Sequence, residues 1–285
     1  MSRTLLLGAV AYDPKVVTIW TGFRSWFRER GLDLDYVLYS HYERQVEDLL
    51  ASRIDLAWNS PLAWIRAERL ARARGLDLRT VAMRDTDRDL TSVIVVRAEG
   101  NLHSPADLRG RTVATGAIDS PQATLLPLAL LRGHGVDPGA DVDLLRFDVG
   151  VGLHGDHIGG ERDAASALLA GRADAACLID ANLLLFGRDG TLPSASVRVL
   201  AQTEPYDHCN MSVGPGADQA LVDRFGELLL SMSYADDSAR PLLDLEGLKE
   251  WLPGRTDRYA ALDSAVTDTG FYLPDGTLGA DDYRP

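Results

Sequence analysis

Short apolar runs alternate with longer amphipathic stretches along this chain, the alternation of strands and helices that builds a largely parallel sheet. Residues 5–10 (LLLGAV) predict a first strand, and residues 16–30 a helix whose Trp20, Phe23 and Phe27 recur at helical spacing. Strand 34–39, helix 44–51, strand 55–58, helix 61–74 and strand 80–83 follow in the same rhythm. The polar stretch 84–90 (RDTDRDL) interrupts it, and 92–97 (SVIVVR) opens a second unit. There, Ser104-Pro105 predicts a short helix and 112–115 a strand, while Ser120-Pro121 opens a longer helix running to Leu131. Strand 144–148, helix 163–170 and strands 175–179 and 197–201 complete the unit. The polar run 202–208 reads as a return crossover, and helix 221–234 with the later helices is expected to pack back on the first unit. From Asp275 the tail (DGTLGADDYRP) is polar and glycine-containing, and is expected to be loosely ordered.

One phrase occurs twice. Residues 46–58 read VEDLLASRIDLAW and residues 165–177 read ASALLAGRADAAC, with Ser52/Gly171 and Asp55/Asp174 at a constant offset of 119 residues. Two helix-to-strand units so far apart imply an α/β protein of two similar lobes with a central cleft and two crossover segments. The first lobe is expected to be discontinuous, residues 1–89 plus 204–285, and the second to span 90–203. The phrase itself reads as scaffold, with Asp55 and Asp174 as structural turn residues.

The chain has 285 residues, 46% hydrophobic and 25% charged, an ordinary globular composition with enough length for large cores. A net charge of −13 argues against nucleic acid, which needs a basic face. The 27 Arg against 2 Lys reflect a GC-rich genome more readily than phosphate recognition. No apolar stretch approaches membrane-spanning length, so no membrane insertion is expected. Met1-Ser-Arg-Thr runs straight into the first strand without the pattern of an export signal or a lipid-anchor cysteine, which predicts a cytoplasmic protein. A trimmed exported chain would instead be periplasmic or extracellular. Cys177 and Cys209 lie in unrelated contexts and need not pair.

Four stretches carry a resemblance: VEDLLASRIDLAWNSPLAW (46–64), SPADLRGRTVAT (104–115), DSPQATLLPLALL (119–131) and AASALLAGRADAACL (164–178). In this order they resemble the type 2 periplasmic-binding-protein fold, in its phosphate/phosphite/phosphonate-binding subgroup. The resemblance implies two lobes closing on a small anion, with phosphonate oxygens held on the hydroxyl-bearing helix start at Ser120. It also implies an ABC permease as partner if the protein is a transport component. Fold alone leaves function open, because cytoplasmic enzymes share this architecture. The segment GVGLHGDHIGGERD (150–163) departs from the family pattern, which has a shorter glycine-serine-histidine turn ahead of the same helix.

Ligands of open α/β sheets sit beyond the carboxyl ends of the strands. That rule selects loops 11–14, 40–42, 59–61, 116–122, 150–161 and 206–210, with 180–182 beside them. The Ser120-Pro121-Gln122 helix start offers free amides and a favourable dipole to an anion, and Asn59-Ser60-Pro61 repeats the arrangement from the first lobe. Either could equally be a cap without a ligand. Tyr12, Asn59, Ser60, Asp119, Ser120, Gln122 and Asp180 are the candidate ligand-binding residues.

Four of the six histidines, His41, His154, His157 and His208, fall in these loops. His154, Asp156 and His157 could hold a divalent metal, with Glu161 or His208 nearby. Alternatively His157, His208 or His41, with Glu161, could serve as catalytic acid or base. A third reading gives them only binding or structural roles, since no HExxH or CxxC spacing is present. Cys209 beside His208 invites a nucleophile, but neighbours on a strand face opposite ways. The expectation that follows is a cytoplasmic enzyme acting on a small anionic carboxylate or phosphorylated metabolite, of lyase or decarboxylase type. The alternative is a non-catalytic solute-binding protein for phosphate- or phosphonate-like oxyanions, serving an ABC importer.

Overall fold

The computed structural model describes residues 3–285, arranged as two α/β lobes around two separate sheets. The first lobe opens with β1 (Leu5–Val10), α1 (Lys15–Glu29), β2 (Leu34–Tyr39), α2 (Tyr42–Leu50), β3 (Leu56–Asn59), α3 (Pro61–Arg74) and β4 (Arg79–Arg84). The second contains β5 (Ser92–Arg97), β6 (Arg111–Thr115), α4 (Leu126–Gly133), β7 (Val142–Arg146), α5 (Gly159–Leu169), β8 (Ala175–Ile179), α6 (Asp180–Asp189) and β9 (Val197–Gln202). The chain then returns through β10 (Asn210–Val213), α7 (Gln219–Leu230), α8 (Arg240–Glu246), β11 (Trp251–Pro253) and α9 (Ala260–Thr269). The sheet orders are β11-β4-β10-β3-β1-β2 and β7-β6-β8-β5-β9. In each sheet, parallel strands joined by helices meet an antiparallel strand contributed from a crossover.

The repeated phrase builds the same joint in both lobes. Asp55 donates its backbone N–H to Leu6 O at 2.8 Å and accepts Leu6 N–H on its carboxylate at 2.9 Å. Asp174 does the same to Thr112, at 2.8 and 3.1 Å. The residue that lets the helix turn into that strand needs a left-handed backbone, Gly171 at φ 71° in one copy and Ser52 at φ 55° in the other.

Each sheet packs its apolar faces against helices. Trp20, Phe23, Trp26 and Phe27 of α1 recur every three or four residues and meet Trp58, Phe225 and Trp251 in the first lobe's core. Alanine-rich α5 lies close on β6 and β8 in the second. A further cluster belongs to neither lobe alone: Leu62, Trp64 and Ile65 of α3 and Leu125 and Leu126 of the second lobe pack with α9 and the C-terminal tail.

Three elements differ from expectation. The helix predicted from Ser120 to Leu131 begins as a π turn, Pro121–Leu125, before α4. Pro127 supplies the reason: it has no N–H for the Ala123 carbonyl, which instead accepts from Gly116 N at 3.1 Å. The helix expected from residue 163 starts at Gly159, whose N–H donates to the His157 ring at 3.0 Å. The tail is ordered: Tyr283 is buried with Tyr272, which precedes the tail, among Phe271 and the α9 residues, and the Tyr272 and Tyr283 hydroxyls donate to Glu43 Oε1, at 2.7 and 2.9 Å. Few residues of the tail are apolar, so its pattern concealed the burial of Tyr283.

Tyr283→Ala should therefore destabilise the protein by about 3 kcal/mol or more, the cost of truncating a buried aromatic. Equilibrium urea denaturation measures this; a change below about 0.5 kcal/mol would mean that the tail does not hold the lobes.

Candidate functional site

The two crossovers run side by side between the lobes, joined by Leu90 N–H to Tyr206 O at 2.9 Å and Tyr206 N–H to Leu90 O at 2.8 Å. Buried ion pairs fix them to the first lobe. Asp87 accepts Arg84 Nε and Nη2 at 2.6 and 2.8 Å, and also the backbone N–H of Cys209 at 3.2 Å. Asp207 accepts Arg255 through both oxygens at 2.6 Å. Burial opposes the charge on Asp87, but the Arg84 guanidinium outweighs it and brings the pKa down to about 2.

Above these crossovers lies a cavity of about 300 Å³ between the lobes. The first lobe gives it Tyr12, Lys15, Trp58 and Arg84, and the second gives Gln122, Asp156, Ile179 and Asn182. His208 and Cys209 of the return crossover close it. Gln122 Oε1 and His208 Nε2 are buried polar atoms with no protein hydrogen-bond partner. Glu161 sits buried next to Asn182 and Gln122, with Oε2 accepting Ile179 N–H at 2.9 Å and Oε1 unpartnered. Burial pushes its pKa up to about 7, and Glu246 is pushed to about 7 by the same cause against the pull of Arg84. Asp156 is raised by burial as well. These carboxyls keep their protons closer to neutrality than ordinary ones, so part of the acidity of the cleft is muted.

The candidate residues separate into distinct places. Tyr12, Gln122, Asp156 and His208 face the cavity. Ser60 and Ser120 cap their helices as expected, each Oγ accepting the N–H three residues on at 3.1 Å, from Ala63 and Ala123. Asn59 is buried in a network with Gln45 and Ser212, and Asp180 is tied to Thr91 Oγ1 at 2.7 Å beside the cleft. Asp119 accepts the backbone N–H groups of Gly152 and His154 at 2.7 and 3.1 Å. His41 lies against Glu43 Oε2 at 3.3 Å, half-buried, and His157 is exposed at the start of α5.

The expected metal set of His154, Asp156 and His157 does not converge. His154 is buried between Ser60 Oγ, 2.7 Å from Nδ1, and Glu43 Oε1, 3.0 Å from Nε2, whereas Asp156 accepts the Tyr42 hydroxyl. Among the described residues, the donors that do converge, within 4.8 Å, belong to Asp87, His208 and Cys209. Arg84 already grips Asp87 there. The predicted opposition of His208 and Cys209 is also altered: β10 starts only at Asn210, and His208 Nδ1 lies 3.1 Å from Cys209 Sγ. Burial, reinforced by Asp156, raises the Cys209 thiol, which disfavours a thiolate nucleophile. Cys177 and Cys209 are both free and buried.

Sequence reasoning missed Arg84 and Lys15 in the cavity, and Glu43 against His154; Asn182 fell within the stretch 180–182 set beside the cleft loops but was not singled out. Arg84 had a signal, as the cation that opens the polar crossover. Trp58, assigned to the core, both packs there and borders the cavity, with the Arg84 guanidinium 5.3 Å from its ring centroid. Glu43 carried no signal, because its partners come from three distant segments.

Comparison with known proteins places this geometry. The family model described as ABC transporter, phosphonate, periplasmic substrate-binding protein matches residues 9–259. Among solved structures, PhnD1 from Prochlorococcus marinus (MIT 9301) in complex with methylphosphonate is similar at a TM-score of 0.68 and 15% identity, over 94% of this chain and 98% of that one. XAC2383 from Xanthomonas citri, bound to chloride ion, gives 0.72 at 21% identity, over 94% and 99% of the two chains. The periplasmic aliphatic sulphonate binding protein SsuA from Escherichia coli gives 0.56 at 19%, over 95% and 92%. At these identities the structural likenesses establish the type 2 periplasmic-binding-protein fold.

Because burial pushes the Glu161 pKa up to about 7, the carboxyl carries no penalty for buried charge while it is protonated; stability is lost as pH rises from the unfolded value near 4.5 through 7. Glu161→Gln removes that loss. Relative to wild type, the variant should gain about 3 kcal/mol in stability between pH 4 and pH 8, read by urea denaturation at both. Parallel pH profiles would show that the carboxyl is not desolvated.

Proposed function

The chain belongs to the family of periplasmic substrate-binding proteins of phosphonate ABC transporters, and from that membership we propose that it is a non-catalytic solute-binding protein for a small oxyanion of the phosphonate or sulfonate class. Membership corrects two expectations. A cytoplasmic enzyme of lyase or decarboxylase type was expected from the N-terminus and the cleft histidines, and the family match over residues 9–259 overturns both the activity and the compartment. Among the described residues no helix is long and apolar enough to cross a membrane.

In this reading the protein works outside the cytoplasm and hands its solute to an ABC permease. The observation that carries it is the cavity of about 300 Å³ between the lobes, with Gln122 Oε1 and His208 Nε2 unpartnered around it. Buried polar groups are nearly always hydrogen-bonded, so two left open around one cavity suit a polar solute. Gln122 Oε1 only accepts, and so would meet a donor group of the solute rather than its oxyanion oxygens, since Gln122 Nε2 is given to Gly155 O. The oxyanion head would meet the Ser120 helix start, where Ala123 N–H is already capped and Gln122 and Asn182 stand at the cavity edge. A protonated Glu161 helps, since near neutrality it donates rather than repels. Tyr12 and Trp58 offer an apolar wall for the rest of the solute, and Lys15 a positive charge.

Binding would draw the lobes together about the paired crossovers, whose ion pairs to Arg84 and Arg255 stay on the first-lobe side. Asn59 and Asp180, engaged by Gln45, Ser212 and Thr91, support the walls in this reading.

Titration calorimetry with a panel of alkyl- and arylphosphonates and the matching sulfonates tests the reading. At least one compound should bind one-to-one and be recovered unchanged, and Asn182→Ala or His208→Ala should weaken it about tenfold, the loss of one hydrogen bond to a charged group. Chemical conversion of the bound compound, or binding indifferent to both substitutions, would sink it.

A further inference from the structure

The loop 150–158, where the sequence leaves its family, lies across both helix starts. We propose that it is a built-in competitor for the oxyanion seat, one that sets a threshold excluding bare oxyanions and admits only solutes whose remaining atoms gain contacts in the cavity. The inference rests on the reading of Ser60 and Ser120 as that seat.

His154 reaches the first start. Its Nδ1 is 2.7 Å from Ser60 Oγ, its Nε2 is 3.0 Å from Glu43 Oε1, and its ring stacks on Tyr42 at 4.7 Å between centroids and 17° between planes. In the neutral ring that donates Nε2–H to Glu43, Nδ1 accepts the Ser60 hydroxyl proton, and Ser60 Oγ already accepts Ala63 N–H. The hydroxyl then has no proton left for an anion. Gly155 covers the second start: its carbonyl accepts Gln122 Nε2–H at 2.7 Å, and a Cβ on it would lie 2.5 Å from Ser120 Oγ. A loop backbone thus occupies the face of Ser120 that an oxyanion would use.

The loop is clamped rather than draped. Asp119 holds two of its amides, the Tyr42 hydroxyl donates to Asp156, and Tyr42 N–H donates to Gly152 O at 3.2 Å. Its conformation is demanding: His154 has φ 50°, one of three non-glycine residues with positive φ among the described residues, and Gly150, Gly152 and Gly155 all have positive φ. A segment held in such a backbone by side chains of both lobes acts as an internal ligand. Every solute must displace it, so each apparent affinity falls by the same factor. Phosphate or methylphosphonate has too few atoms to recover that loss. A larger phosphonate or sulfonate can recover it against Tyr12, Trp58 and Asn182.

The test compares inorganic phosphate and methylphosphonate binding, by calorimetry, in wild type, His154→Ala and Gly155→Ala. The second substitution drives the loop from Ser120 without deleting any group of the seat; thermal unfolding confirms that each variant is folded, and His154→Ala stands alone if Gly155→Ala is not. Both variants should bind the two anions at least about tenfold more tightly than wild type, and adding Ser120→Ala should abolish the gain. If wild type already binds them tightly in a Ser120-dependent way and the loop variants are no better, the competitor role is overturned while the seat stands. If neither wild type nor either variant binds phosphate or methylphosphonate, the helix starts are not an oxyanion seat, and the site reading falls with the proposal.

Discussion

One carboxylate, that of Glu43, stands where the first lobe, the second lobe's long loop and the C-terminal tail meet. Its Oε1 lies 3.0 Å from His154 Nε2 and accepts Tyr272 and Tyr283 hydroxyls at 2.7 and 2.9 Å. Its Oε2 faces His41 at 3.3 Å. Burial alone would drive the proton back on, but His154 and the other donors reverse that and hold Glu43 far below the usual carboxylate range. A buried charge is tolerable only with such a full set of partners, and losing one of them strands it. The position of loop 150–158, the fold of the tail and the packing of α9 between the lobes are therefore coupled through one residue. The pH sense follows: the contribution of Glu43 is complete above the ordinary carboxylate range and is lost on acidification, whereas those of Glu161 and Glu246 decline as pH rises towards 7.

Features set by local chemistry were legible in the sequence. The repeated phrase located β3 and β8 because a left-handed turn residue and a strand-bridging Asp are each demanded by neighbours a few positions away or in the adjoining strand. Ser60-Pro61 and Ser120-Pro121 announced their caps for the same reason. The family's signature lies in these pieces, and the resemblance drawn from them holds. What stayed hidden depends on segments far apart in the chain. Glu43 meets residues more than a hundred positions away, and Tyr283 of the tail sits among polar neighbours that mask its burial. The π turn at Pro121–Leu125 was legible in principle, since Pro127 cannot donate to Ala123.

The four loop histidines show why residue type and loop position do not amount to catalysis. A general base needs a free ring nitrogen aimed at a reacting atom, within hydrogen-bond reach of it. His154 has both ring nitrogens engaged, by Ser60 and Glu43; His41 turns towards Glu43, and His157 accepts an amide at the start of α5. Of the four, His208 lines the cavity and keeps one ring nitrogen, buried Nε2, without a partner, while its other one lies against the protonated sulfur of Cys209 and the carboxylate of Asp87. That nitrogen belongs to a residue lining the same cavity as Asn182 and Gln122, and the raised Cys209 thiol beside it is no activated nucleophile. In the type 2 fold, chemistry and transport begin from the same cleft; here three of the four loop histidines are bound into its structure by their ring nitrogens, and position in the cleft gives none of them a reacting partner.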